Sequence, residues 1–175
     1  HIPLIERAAG SGLPLFVSTG MASIEEIENA VAVIRANGCN NFVLLKCTSA
    51  YPAEEKDANI NSIPDMQSRF DCQIGFSDHC LKPYSAYAAV SLGANVIEKH
   101  LTCSRSAGGL DSDFSIEPDE LKEISIGTRL VWESLGNISY GTQTVEETSK
   151  KERPSIYVTR PIAIGETFTE DNLRI

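Results

Sequence analysis

Two histidines offer the clearest chemistry in this chain. His79 closes the run Ile74-Gly75-Phe76-Ser77-Asp78-His79, and His100 closes Asn95-Val96-Ile97-Glu98-Lys99-His100. Each run is short and apolar enough for a buried strand, and loop-like sequence follows each. In sheets of parallel strands, functional side chains gather at the carboxyl ends of the strands. Two imidazoles placed there on neighbouring strands could share one metal ion. The chain has three histidines in all and the third is His1, so scatter is a poor explanation. The plain alternative for either ring is a core histidine bonded to backbone.

Other candidates stand near these two. Ser18, Ser49 and Ser77 close the first three strand-like runs. Small hydroxyl groups at such ends can hold phosphate oxygens without crowding a ligand, although turn and cap bonding is their commoner use. Glu98 shares a strand face with His100 by the alternation of period two, so it could orient a ligand or a metal-bound water. An ion pair with a lysine explains it equally well. Lys46 and Lys99 lie in strand-like runs, where a lone ammonium is costly. Lys99 should point away from His100 and reach water or a carboxylate. A Schiff-base aldolase would use such a strand lysine as its nucleophile, which is the competing chemistry.

Composition narrows the classes. The chain has 175 residues, 42% hydrophobic and 22% charged, which suits one domain with a sizeable core. A formal net charge of -9 argues against nucleic acid or an anionic membrane as partner. No apolar run reaches membrane-spanning length and no signal peptide is legible. His1 rather than Met at the start suggests a natural beginning further upstream. Five cysteines without a C-x-x-C motif fit reduced thiols in a cytoplasm better than a disulfide framework. Cys72, Cys80 and Cys103 near the histidines keep a Cys/His zinc site as a minor alternative.

Strand-like and helical stretches alternate. Residues 14–18 read as a strand. Ser23 and Glu26 then offer a capping box for a helix with Ile24, Ile27, Val31 and Ile34 at helical spacing, stopped at Gly38. Residues 42–47 form the second strand, and a short helix falls near 61–70. Residues 72–77 form the third strand, weakened by Gly75. An Ala-rich helix over 84–92 precedes the fourth strand, 95–100. After a loop with Gly108-Gly109, residues 115–118 open a long helix ending near Gly136. Its expected core face is Leu121, Ile124, Leu130, Val131 and Leu135. Four such units in a row imply parallel strands with right-handed crossovers. That is an α/β fold, either a small doubly wound sheet or half of a (β/α)8 TIM barrel, whose full form takes roughly 250 residues. The organisation expected is a barrel half over 1–141, a polar linker over 142–154 and the opening strands of a small β domain over 155–175, with runs at 155–159 and 164–169.

Several segments together carry a resemblance. Ser18-Thr19-Gly20-Met21, Lys46-Cys47-Thr48-Ser49-Ala50-Tyr51-Pro52, Ser77-Asp78-His79, Glu98-Lys99-His100 and Gly109-Leu110-Asp111-Ser112 follow the order of motifs in sialic-acid-type (NeuB-like) synthases. These enzymes condense phosphoenolpyruvate with an acetamido sugar. The resemblance covers essentially the whole chain. It implies the carboxyl-terminal four units of a complete barrel, followed by the start of an antifreeze-like (SAF) domain. It also implies that phosphate-binding lysines and a proposed base lie in the other half, so this segment alone should be inactive.

The resemblance implies a divalent metal, manganese first and magnesium as the alternative, held by His79 and His100 as the catalytic centre. The metal would polarise the aldehyde of the open-chain sugar for attack by the enol carbon. Water then adds at the cationic carbon and phosphate leaves with C–O cleavage. It places Ser18, Ser49 and Ser77 on phosphoenolpyruvate, and Tyr51 and Asp111 on the sugar. It further implies a homodimer in which the antifreeze-like domain of one subunit covers the barrel of the other. Within the family, 46–52 and Gly108-Gly-Leu-Asp-Ser112 followed by Phe114-Ser-Ile-Glu-Pro118 resemble the pseudaminic acid branch most closely. N-acetylneuraminate and legionaminate synthases are the alternatives, and a non-catalytic sugar-binding or assembly half-barrel is the competing class.

Overall fold

The computed structural model describes residues 1–175 as two compact units, His1–Gly136 and Asn137–Ile175. In the first unit, strands β1 (Leu15–Ser18), β2 (Phe42–Cys47), β3 (Gln73–Ser77) and β4 (Ile97–Glu98) form one sheet in chain order, every neighbouring pair parallel. A doubly wound sheet reverses its strand order at a switch point. This sheet never reverses, so the first unit is an α/β half-barrel of four consecutive strand–helix units.

The helices are α1 (Ile2–Ala9), α2 (Ile24–Ala36), α3 (Ser62–Phe70), α4 (Tyr84–Ser91) and α5 (Pro118–Leu135). The expected capping box opens α2: Ser23 Oγ accepts from the Glu26 amide at 3.3 Å, and Glu26 Oε2 accepts from the Ser23 amide at 2.8 Å. Helix α1 is absent from the sequence reading. Its proline in the first turn is compatible with a helix start, and Ala9 is buried where α1 meets α2.

Strand alternation sorts the core. Phe42, Leu44, Ile74 and Phe76 face the helix layer and join Val31, Ile34, Ile63, Met66, Phe70 and Ala89 in one cluster. The opposite, concave face carries Phe16, Ser18, Val43, Leu45, Gly75, Ser77 and Glu98, which follows from the strand register. Gly75 weakens nothing here. A Cβ at that position would lie 2.5 Å from Leu45 Cδ2 and 2.8 Å from the Val96 carbonyl oxygen, so the glycine is what lets the neighbouring strands close.

Three expectations need correction. The fourth strand is paired only over Ile97–Glu98 rather than 95–100, because β3 offers it partners only at Phe76 and Ser77. Of the expected core face of α5, Ile124 alone is buried, while Leu121, Leu130 and Leu135 are exposed. The helix packs on α4, where Gly127 admits the Tyr87 ring, and little else covers that face in this chain. In the second unit, 164–169 forms no strand. Strand β5 (Tyr157–Val158) pairs antiparallel with β6 (Leu173–Arg174) instead. Asn172, fully buried, accepts from the Thr169 amide at 2.8 Å and donates to the Thr167 carbonyl at 3.0 Å, which ties those backbone groups into a turn. The stretch expected as a linker holds a single 3-10 turn at Thr144–Glu146 and the short α6 (Glu147–Lys150), both exposed.

Candidate functional site

The carboxyl ends of β3 and β4 bring the two histidines together. Their ring centroids are 5.2 Å apart. Adjacent parallel strands set the two segments side by side once Phe76 pairs Ile97 and Ser77 pairs Glu98, and each histidine lies two residues beyond its strand's last pair. His79 is buried and its Nδ1 sits 2.8 Å from the Thr48 carbonyl oxygen. A carbonyl only accepts, so Nδ1 carries the proton and Nε2 keeps a free lone pair. His100 is half-buried, with Nδ1 3.5 Å from Asp111 Oδ2.

Aromatic rings wall the pair. Tyr51 lies 4.3 Å from His79 and 5.8 Å from His100, centroid to centroid. Phe114 stands 5.1 Å from His100 and 5.2 Å from Tyr51. Phe114 reaches this place because the chain returns after β4. The Ile116 amide donates to the His100 carbonyl at 2.9 Å, and the Thr102 amide donates to the Ile116 carbonyl at 2.9 Å. This bridge closes the base of the 103–115 excursion and carries Asp111 and Phe114 back over His100. Ser115 Oγ donates to the Asp111 carbonyl at 2.6 Å. Arg105 grips Glu120 through two bonds of 2.6 and 3.0 Å, and its guanidinium holds the Glu120 carboxyl below the usual carboxylate range.

The serines distribute unevenly. Ser77 is buried on the concave face and donates to Glu98 Oε1 at 2.7 Å. Its single proton therefore serves Glu98, and it offers lone pairs to anything else. Ser49 lies against Gly20, where any Cβ would collide with its hydroxyl, and 3.9 Å from Cys47 Sγ. Ser18 ends β1 in an exposed position, two strands away from the histidine-bearing ends. So Tyr51, His79, His100 and Asp111 form one cluster with Phe114, Ser77 borders it through Glu98, and Ser18 and Ser49 mark the neighbouring strand ends.

The lysines are engaged. Lys99 turns away from His100, as expected, into a buried ion pair of 2.9 Å with Asp78 Oδ2. Lys46 donates to Thr48 Oγ1 at 2.8 Å and the Cys47 carbonyl at 3.2 Å, and burial pulls its ammonium below the ordinary lysine value. Neither amine stands free over the concave face as a Schiff-base nucleophile needs. No three His, Cys, Asp and Glu side chains converge anywhere as a metal cluster, so the Cys/His zinc alternative has no geometric basis.

The spacing of the histidine pair is compatible with a divalent ion. Two imidazoles sharing one ion have centroids roughly 4.5–5.5 Å apart, given metal–nitrogen bonds of about 2.1 Å. The observed spacing falls in that range. Imidazole suits many first-row divalent ions, and two neutral donors leave coordination positions for substrate. Phe114, the Thr48 carbonyl and the Asp78–Lys99 pair are the parts that sequence reading missed. The signal for that ion pair lies in the sequence, where an acidic residue precedes His79 and a basic residue precedes His100.

Comparison with known proteins follows the same line. The model of the NeuB family matches residues 1–140. A crystal structure of N-acetylneuraminic acid (sialic acid) synthetase from Leptospira borgpetersenii, in complex with citrate, matches with a TM-score of 0.78 at 38% identity, covering 87% of this chain and 53% of that one. N,N'-diacetyllegionaminic acid synthase of Campylobacter jejuni is 34% identical over 176 residues, covering 99% of this chain and 53% of the relative. Pseudaminic acid synthase of Campylobacter jejuni is 35% identical over 164 residues, covering 92% and 47%. The chain belongs to the NeuB family, and it spans about half the length of these relatives. Legionaminic and pseudaminic relatives are equally similar, so identity does not separate the branches.

Proposed function

We propose that this chain is the carboxyl-terminal barrel half of a phosphoenolpyruvate-dependent nonulosonate synthase, a C–C bond-forming transferase acting on an acetamido sugar. One observation carries the reading: two imidazoles 5.2 Å apart at adjacent strand ends, with His79 Nε2 freed by the Thr48 carbonyl. His79 and His100 hold a divalent cation, manganese first and magnesium as the alternative. When bound, that ion supplies Lewis-acid polarisation of the sugar aldehyde.

The chain's own groups supply the rest. Tyr51 and Phe114 stand beside the rings and give that side of the site an aromatic flank. Asp111, near His100, accepts hydrogen bonds from sugar hydroxyls. Ser18, Ser49 and Ser77 face the phosphoenolpyruvate end of the mouth. For Ser77 to donate to a phosphate oxygen, its proton must leave Glu98, so ligand binding there includes that exchange. The remaining phosphate and base groups come from the other barrel half, so this segment alone lacks activity. The second unit is read as the start of an antifreeze-like domain, the assembly as a homodimer and the location as the cytoplasm. No helix is long and apolar enough to cross a membrane.

The sequence around 46–52 and 108–118 favours a 2,4-diacetamido-2,4,6-trideoxy sugar, the substrate type of pseudaminic acid synthases. The test is phosphate release by the full-length protein with phosphoenolpyruvate, Mn2+ and each candidate sugar. Release with the diacetamido sugar is the expected result. Release with N-acetylmannosamine alone overturns the branch. No release with any sugar, with sugar still bound, supports the non-catalytic module instead.

A further inference from the structure

Each candidate metal histidine follows one member of a buried ion pair. Asp78 precedes His79, and Lys99 precedes His100. Lys99 Nζ donates to Asp78 Oδ2 at 2.9 Å, with side chains 4% and 0% exposed. Both carboxylate oxygens are used: Oδ1 accepts from the Cys80 amide at 2.9 Å, and Oδ2 also accepts from Ser85 Oγ on α4 at 3.0 Å. Lys99 Nζ donates besides to the Cys80 carbonyl at 2.5 Å. His79 is thus bracketed on both sides, and its own carbonyl accepts from the Ala53 amide at 3.0 Å.

The pair sits where the sheet gives out. Strands β3 and β4 pair only at Phe76–Ile97 and Ser77–Glu98, and the last backbone bond runs from the Asp78 amide to the Glu98 carbonyl. Beyond it, no ladder sets the distance between the two histidine-bearing segments. We propose that the Asp78–Lys99 ion pair is a clamp that fixes the spacing of His79 and His100, so that both rings address one divalent cation. Asp78 and Lys99 are positioning residues and touch neither ion nor substrate. The inference rests on the metal reading proposed above.

A buried ion pair is weak as a source of stability, since replacing both members by apolar groups is often neutral or stabilising. Removing one member alone leaves an uncompensated buried charge. The two roles therefore separate in the double variant Asp78→Leu/Lys99→Met. The measurement is Mn2+ affinity of the full-length protein by electron paramagnetic resonance of the free ion, with the thermal midpoint recorded beside it. The clamp predicts that the double variant keeps its midpoint within a few degrees yet loses about tenfold or more in Mn2+ affinity. Lys99→Arg, which preserves the pair, should recover most of that loss. Unchanged affinity in the double variant, with the parent protein binding Mn2+, overturns the clamp and leaves the metal reading standing. A parent protein that binds no Mn2+ overturns the metal reading and the clamp with it. A double variant that fails to fold moves the test to Ser85→Ala, which removes one bond to Asp78 and should weaken Mn2+ binding with the midpoint little changed; unchanged affinity there overturns the clamp as well.

Discussion

His79 donates Nδ1 to a backbone carbonyl, a bond no side-chain substitution elsewhere can remove. Its tautomer is therefore fixed by the turn after β2. His100 has only the looser 3.5 Å approach of Asp111. Substituting either histidine tests the assigned roles: His79→Ala or His100→Ala should lower Mn2+ affinity by more than roughly 100-fold, beyond the 10–100-fold typical of a group that merely orients a ligand. Asp111→Ala should raise the KM for sugar and leave Mn2+ binding within about threefold, since Asp111 lies outside direct bonding distance of His100. Cysteine chemistry separates in the same way. Cys103 is exposed, whereas Cys80 is 1% exposed and burial pushes its thiol up to about 11. Ellman's reagent should therefore modify Cys103 and spare Cys80 in the folded protein. The sign for stability follows: a thiol raised above its ordinary 9.0 favours the folded state below pH 9, and that contribution is lost as pH climbs toward 11.

Among the elements, the β-strands and their neighbours were the most legible and the edges the least. The Ser23–Glu26 box announced α2, and Ser23→Ala should cost about 1 kcal/mol in urea unfolding. Gly75 read as a weakness because a glycine in a strand shows nothing of what crosses it. The close approach of Leu45 and Val96 inverts that reading, and Gly75→Ala should destabilise by about 1–3 kcal/mol through overpacking. Apolar spacing on α5 named five core residues, but periodicity reports a face and not its cover; only Ile124 found one here. Phe114 could not be found from spacing, since its place depends on the bridge between Leu101 and Ile116. The histidine pair was legible because parallel strands turn a shared sequence position into proximity. The ion pair that accompanies it needed the register of β3 against β4, which sequence alone does not supply.

At the scale of the molecule, an incomplete wall leaves apolar groups in water. Phe16 on the concave face is 54% exposed and Trp132 on α5 is 60% exposed, and a groove of about 770 Å³ runs between β4 and α5. Residues 1–175 produced alone should bind the dye ANS strongly and run above monomer mass in size exclusion, and the full-length protein should bind far less dye per chain. The root formed by Leu101 and Ile116 has a different consequence. It seats the excursion on the ring itself: Asp111 and Phe114 lie against His100 while Arg105 ties the same segment to Glu120 on α5, so exchanging or trimming residues there should disturb the setting of His100 as well. A chimaera carrying a relative's 103–115 segment should therefore bring its contacts at the start of α5, Glu117 and Glu120, along with it.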